Sequence, residues 1–483
     1  MTAQLPKIEY SGPELCRLTA CEAVELLKKG EVKPSELLEA SLARIEQVEP
    51  KVNAVVTVCA DRARQATQLL EDRKRGFGDG PGWLAGLPIG IKDLSHVSGV
   101  KTTFGTKGFA DFIAKENDPL VDRLENNGGI IVGKTNTPEQ GAGGNTFNEV
   151  FGMTRNPWDI RKNAGGSSGG AAVSLATGEV WLSHGSDLAG SLRTPAAYCS
   201  VVGLRPSPGR AGGGPAAAMF QNVGVQGPMA RNIADTALFL DAMAGYDPRQ
   251  PLSIEPPAEP FQKAVHEAES RVRIAWAPTL NGFAPIEAEI ETVMRSALEK
   301  AERSGATVEE ACPALSELEA TYITIRALTW ECGPGRLPEE IQRHHKATLA
   351  ENIELGRNLT TRQIVDAERN RSVLYNSCRE FLLDFDVLAT AVVGLEPGPV
   401  EEEFPRSVAG IETRSYVDWL KFSFLSTATT LPALSMPAGF TKSGMPVGIQ
   451  LIGPPRGEAK LLAVARAVED AVGLAGLTPI DPR

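Results

Sequence analysis

Between residues 86 and 230 the chain alternates short apolar runs with glycine-rich turns, and this alternation limits the fold more than any other feature. Leu87 to Ile91, Ile130 to Val132 and Val201 to Leu204 are too short for buried helices and rich in branched side chains. Such runs predict buried strands. Helix-forming stretches lie between them, at Leu120 to Asn127 and Ala171 to Ala176. Strand, turn and helix in repeated order is the pattern of an α/β domain, with helices covering a sheet.

The flanking segments extend this domain. Thr19 and Glu22 form a capping-box pattern ahead of Ala23, Val24, Leu26 and Leu27. Pro34 opens a second helix whose Leu38, Leu42 and Ile45 share one face, and Pro50 is expected to end it. A third helix is expected from Cys59 to Lys74, stopped by the breaker cluster Gly76 to Gly82. Pro248 to Pro260 reads as a surface connection, Val272 to Trp276 as a strand, and Ile286 to Ser304 as an amphipathic helix. Residues 314 to 385 are mostly helical and polar, broken by Gly-Pro-Gly at 333 to 335, and predict a cap over a pocket. Leu434 to Met436 and Val447 to Ile452 read as strands, and Ala459 to Val472 as a closing helix. The expectation is one domain over residues 1–483: an N-terminal helical wrap (1–75), an α/β core (84–230), a variable, mostly helical cap or substrate region (310–415), and closing strands and helix (430–475).

Charge and cysteine content exclude several functions. A net charge of -11, from 49 basic and 60 acidic residues, argues against a broad nucleic-acid footprint. The seven cysteines are scattered, with no CxxC pair, so neither a zinc site nor a disulfide framework is signalled. Met1 to Tyr10 lacks a basic segment followed by an apolar one, and no apolar stretch approaches a membrane span. A cytoplasmic protein with no membrane or nucleic-acid partner is expected, and no metal or cofactor is implied.

Two short motifs match by letter and fail by physics. Residues 128 to 135, Gly-Gly-Ile-Ile-Val-Gly-Lys-Thr, satisfy the nucleotide-binding P-loop pattern. A phosphate cradle needs a loop between strand and helix, whereas Ile130-Ile131-Val132 should itself be the strand. Gly165-Gly-Ser-Ser-Gly-Gly170 matches the nucleophile elbow G-x-S-x-G at Ser167 and at Ser168. That elbow needs a downstream acid and histidine. Beyond His184 only His266, His344 and His345 follow, none in a convincing loop, and His184 itself reads as a packed or surface residue.

A third match is long. Leu87-Pro-Ile-Gly-Ile-Lys92-Asp, Gly133-Lys-Thr-Asn-Thr-Pro-Glu, Phe151-Gly-Met-Thr-Arg-Asn-Pro-Trp158, Gly165 to Gly170, and Gly185-Ser-Asp-Leu-Ala-Gly-Ser191-Leu-Arg-Thr-Pro occur in this order. Ser167 and Ser191 stand 24 positions apart. Leu431-Pro-Ala-Leu-Ser-Met-Pro-Ala-Gly-Phe440 continues the pattern, while residues 310 to 415 barely match. Together these segments resemble the amidase signature family. The resemblance implies one α/β/α domain around a central, mixed, many-stranded sheet flanked by helices, and a Ser-cisSer-Lys hydrolase that needs no cofactor. It assigns Ser191 as nucleophile, Ser167 as bridging serine and Lys92 as base. It also implies an oxyanion loop built from the backbone of Leu188, Ala189, Gly190 and Ser191.

The chemistry is coherent on its own terms. A serine hydroxyl needs an adjacent base to attack. A lysine serves only if burial lowers its pKa from about 10.4. Lys92 leaves a buried apolar run, so its amine can lose its charge, take a proton from Ser191 through Ser167, and return it to the leaving amine. Ser168, Asp187 and Arg193 are expected to support this group. Position 189 is Ala where the family pattern has Gly, which would be strained if that residue needed a positive φ. Gly141, Gly143 and Asn145, in a stretch resembling a substrate-lining segment, are candidate binding residues, as are Cys332 beside Trp330 and Trp419. Tyr416, Trp419, Phe422 and Phe424 form an aromatic cluster of core type.

The leading expectation is a free-standing hydrolase of amide or related C–N bonds, acting on carboxamides, anilides and carbamates (urethanes) of small apolar or aryl substrates. A glutaminase subunit of a tRNA-dependent amidotransferase is the alternative within the family. A P-loop nucleotide-binding protein is the alternative of another class. The resemblance also implies a homodimer, for which no interface is legible.

Overall fold

The computed structural model describes residues 6–72, 78, 80–212 and 218–483. Eleven strands build one mixed sheet: β1 (Val55–Val58), β2 (Pro88–Lys92), β3 (Ile130–Thr135), β4 (Leu182–Asp187), β5 (Val202–Arg205), β6 (Val225–Ala230), β7 (Arg273–Trp276), β8 (Thr307–Glu310), β9 (Val387–Ala391), β10 (Ala433–Phe440) and β11 (Pro446–Ile452). Their spatial order is β1-β3-β2-β4-β6-β5-β10-β11-β9-β7-β8. β2 lies parallel to both β3 and β4, and β7 is parallel to β8 and β9; the remaining neighbours are antiparallel.

Helices pack on both faces, as the alternating pattern requires. In β3, Ile130 and Val132 join one apolar cluster while Ile131 joins another. Successive strand side chains point to opposite faces, so each face needs its own cover. The first helices are α1 (Ala20–Lys29), α2 (Pro34–Val52), α3 (Ala60–Glu71), α4 (Pro119–Asn126), α5 (Gly169–Thr177), α6 (Arg193–Cys199), α7 (Ile233–Met243) and α8 (Phe261–His266). They are followed by α9 (Ala288–Arg303), α10 (Leu318–Cys332), α11 (Glu339–Gln342), α12 (Ala347–Arg357), α13 (Thr361–Phe381), α14 (Phe424–Thr429) and α15 (Glu458–Val472). All nine residues of α5 are buried, which explains its lack of a polar face.

Most sequence expectations hold to within a few residues. The Thr19 capping box forms at α1. α2 does not stop at Pro50 but runs to Val52, where Asn53 takes a left-handed conformation. Pro50 removes one helical hydrogen bond, and it stands on the exposed side of the last turn, where water can solvate the freed carbonyl. The expected end of the third helix at Lys74, and much of the breaker cluster Gly76 to Gly82, lie outside the described residues. In the P-loop look-alike, β3 contains Lys134 and Thr135. Lys134 is fully buried and donates to Asp93 Oδ1 and Thr102 Oγ1, both at 2.9 Å. It faces the core as one half of an ion pair, with no loop in which to cradle a phosphate.

The region expected to cap a pocket is helical. α10 packs on α12, α13 and α14. No helix among the described residues is long and apolar enough to cross a membrane.

Candidate active site

Lys92 ends β2, whose five residues are all buried. Ile89 and Ile91 point into one core cluster, so alternation turns Lys92 toward the opposite face, where α5 packs. The loop before α5 carries Ser167 and Ser168, and the Gly166–Ser167 peptide is cis. Lys92 Nζ lies 2.7 Å from Ser167 Oγ, 2.9 Å from Ser168 Oγ and 3.0 Å from Ser186 Oγ. Burial pulls its pKa down to about 7, against the opposing pull of the Asp187 charge.

Ser191 sits on the turn between β4 and α6. Its carbonyl accepts from the Ser168 N–H at 3.1 Å, which ties the two serine loops together. Asp187 braces the turn from below: it accepts from the N–H groups of Gly190 at 3.0 Å and Leu192 at 3.1 Å. Arg193 forks onto both Asp187 oxygens at 3.0 and 2.9 Å and also donates to Ser426 and Gln450. Arg205 donates to the Asp187 backbone carbonyl at 2.6 Å. Burial alone would raise the Asp187 carboxyl, but Arg193, Arg205 and the backbone donors hold it well below the usual carboxylate range.

The structure settles two details of the turn. Positive φ falls on Gly190, at 87°, and not on Ala189, so alanine at 189 carries no backbone strain. A Cβ at Gly190 would stand 3.1 Å from Thr194 Oγ1 and 3.2 Å from Ser423 Cβ, so glycine is required there and not one residue earlier. The expected oxyanion donor set also narrows. The Gly190 N–H is engaged by Asp187, whereas those of Leu188, Ala189 and Ser191 have no partner among the described residues.

The candidate binding residues separate. A Cβ on Gly141 would lie 3.5 Å from Ser167 Oγ, which puts this glycine against the loop that carries Ser167 and Ser168. Gly143 faces Lys346 instead, whose Nζ would be 3.3 Å from such a Cβ. Asn145 clamps the chain, its amide donating to the carbonyls of Val400 at 2.9 Å and Glu402 at 2.8 Å. It lines a small cleft with Trp419, whose ring closes over Gly144. Cys332 is exposed at the end of α10. Two positions turn a helix by about 200°, so Cys332 points away while Trp330 points in. His184 is a packed residue: Nε2 meets Gln226 Oε1 at 3.0 Å, Nδ1 faces the Lys92 N–H at 3.4 Å, and burial lowers its pKa to about 3. No histidine is hydrogen-bonded to Ser167, Ser168 or Ser191 among the described residues, which leaves no His-based triad.

Comparison with known proteins agrees with this geometry. The profile of the Amidase family matches residues 36–462. The chain belongs to the amidase signature family. An acylamidase from Rhodococcus erythropolis is 36% identical over 477 residues, covering 96% of this chain and 97% of the relative. A glutamyl-tRNA(Gln) amidotransferase subunit from Anaeromyxobacter dehalogenans (strain 2CP-C) is 32% identical, covering 95% of this chain and 97% of the relative. A bacterial aryl acylamidase of the amidase signature family superposes with a TM-score of 0.86 at 27% identity, covering 96% of this chain and 99% of that one. The match runs through residues 310–415, where the sequence shows no legible motif.

In this amidase several site residues escaped the sequence reading. Ser186 lies inside the Gly-Ser-Asp-Leu motif, two residues from His184 on β4, and alternation from a buried neighbour was its available signal. Arg205 and Gln450 reach Asp187 and Arg193 from strands remote in sequence, and no local pattern marks them.

Proposed function

We propose that this amidase acts alone as a serine hydrolase on linear carboxamides, anilides and carbamates of small apolar or aryl compounds, through an acyl-enzyme on Ser191. The observation that carries the reading is the buried Lys92 amine, with a pKa of about 7 and Ser167 Oγ at 2.7 Å. A neutral amine has two hydrogens and one lone pair. Ser168 Oγ is placed to donate to the Ser186 carbonyl at 3.2 Å, so it accepts from Lys92. Ser186 can take the second hydrogen. The lone pair is then left for the Ser167 hydroxyl, and Ser167 in turn accepts the proton that Ser191 gives up on attack. Reversal of this relay protonates the departing amine, without which an amide does not cleave. The unpartnered N–H groups of Leu188, Ala189 and Ser191 are the donors available to the tetrahedral oxyanion.

The glutaminase-subunit reading rests on the 32% relative, which matches along nearly its whole length. One assay separates the two. The purified chain alone, without ATP or added metal, is expected to turn over matched aryl amide, carbamate and ester substrates, and the rate order names the preferred bond. Silence on all three, with glutamine hydrolysis appearing only when partner proteins are added, would reject the free-standing hydrolase.

A further inference from the structure

One face of α10 buries polar atoms that nothing among the described residues satisfies. Tyr322, Arg326 and Trp330 are spaced four residues apart and stack along the helix over about 12 Å. The Tyr322 hydroxyl, Arg326 Nε and Trp330 Nε1 are buried without a hydrogen-bond partner among the described residues. Buried donors nearly always find acceptors. Three unpartnered donors share one face of α10.

Each end of the stripe leads through packed neighbours to one of the two serine loops. The Tyr322 ring stacks on Phe424 at 3.7 Å, and the adjoining Ser423 presses on Gly190, next to Ser191. Trp330 shares a small apolar cluster with Ala142, Leu349 and Ile353, and Gly141, just before Ala142, abuts Ser167. Arg326 lies on the helix between the two residues that make these links.

Arg326 sets the chemistry of the missing partner. It is 2% exposed, its guanidinium lies 5.3 Å from the Trp330 ring centre and 4.9 Å from that of Tyr416, and its terminal nitrogens meet Asn352 and the Tyr416 hydroxyl. The buried Arg44, Arg193 and Arg205 each meet a carboxylate. Arg231 donates instead to the carbonyls of Cys16 and Leu18. Arg326 meets no carboxylate among the described residues, and Glu403, beyond Tyr416, is already held by Lys346 and Thr348, both at 2.6 Å. A buried guanidinium without an acid is costly, and two aromatic rings offset only part of that.

We propose that Tyr322, Arg326 and Trp330 form a specificity site for a carboxylate carried by the amide substrate, remote from the scissile bond. The inference rests on the hydrolase reading above and deepens it: this segment, rather than the signature motifs, selects an anionic substrate. The charge-assisted Nε–H of Arg326, the guanidinium nitrogen without a partner among the described residues, would donate to the carboxylate, with the Tyr322 hydroxyl and Trp330 N–H as flanking donors.

The test compares a neutral N-aryl amide with two acids of matched size, one bearing the carboxylate on the acyl chain (the mono-anilide of a dicarboxylic acid), the other on the aryl ring. The wild type is expected to prefer one acid over the neutral amide by at least about tenfold in kcat/KM, as a charge-assisted contact would give. In Arg326→Met that ratio should fall to about one, Arg326→Lys should restore part of it, and Trp330→Phe, which keeps the ring and removes one donor, should reduce it. No preference by the wild type for either acid, or the same ratio in Arg326→Met, would overturn the proposal. The wild-type comparison stands even if a variant does not fold. Turnover of the neutral amide reports separately on the hydrolase reading, so failure of one is not failure of the other.

Discussion

Lys92→Ala is expected to lower kcat/KM on every amide by about 10^4- to 10^6-fold, the loss seen when one member of a nucleophile–base unit is removed. The reason is charge. A lysine of ordinary pKa is neutral in only about one molecule in a few thousand at pH 7. Burial brings Lys92 to about 7, so near neutrality half of the molecules hold a usable base. The sign follows: protonation removes the base, so kcat/KM should rise as pH increases through about 7 and then level. The mutant should lose that limb along with the rate. Retained secondary structure by circular dichroism would show that chemistry, not folding, was lost. An acid limb centred near the ordinary carboxylate pKa of about 4 would point instead to an Asp or Glu base. A loss in kcat/KM below about tenfold would remove Lys92 from the mechanism.

Asp187→Asn is expected to cost roughly 3–5 kcal/mol of stability, the penalty for breaking a buried ionic group from one side. Asp187 is the only acid that Arg193 and Arg205 contact among the described residues, and both guanidiniums are buried. Asparagine keeps the shape but leaves the two cations without a counter-charge, and its amide cannot accept from Gly190, Leu192 and Arg193 together. Because the folded-state pKa is depressed, the stabilisation by Asp187 is complete above the unfolded value of about 3.9 and fades only as pH falls below it. Urea denaturation at pH 7 should show the loss, and wild type and mutant should converge as the solution becomes strongly acidic. A change under about 1 kcal/mol at pH 7 would contradict the buried network, since that is the range of exposed ion pairs.

The α/β core was legible because its strands bury both faces, and β2 and β3 therefore read as near-continuous apolar runs. β4 was not. Its sequence, Leu-Ser-His-Gly-Ser-Asp, commits its side chains to Lys92, Gln226 and the arginines, so it lacks the apolar signature of a strand at the point where the site is built. β9, Val-Leu-Ala-Thr-Ala, is apolar but follows the long helix α13 with no turn cluster to set it apart. The site shows the same division. Lys92, Ser167 and Ser191 lie in motifs whose order and spacing carried them. The α10 stripe has helical spacing but reads as ordinary core until the structure shows its polar atoms unpaired. Which residue of the 187–191 turn takes the positive φ was not legible, because sequence alone does not assign it; it is Gly190 and not Ala189.

If Ser191 alone forms the covalent intermediate, it can be trapped there. The purified amidase is treated with a fluorophosphonate at mildly alkaline pH, where Lys92 is neutral, then digested, and the modified peptide is mapped by mass spectrometry. One adduct per chain on Ser191, absent from both Ser191→Ala and Lys92→Ala, is the expected outcome. An adduct on Ser167 or Ser168, or labelling of Ser191 that is undiminished in Lys92→Ala, would contradict the assignment of nucleophile and base.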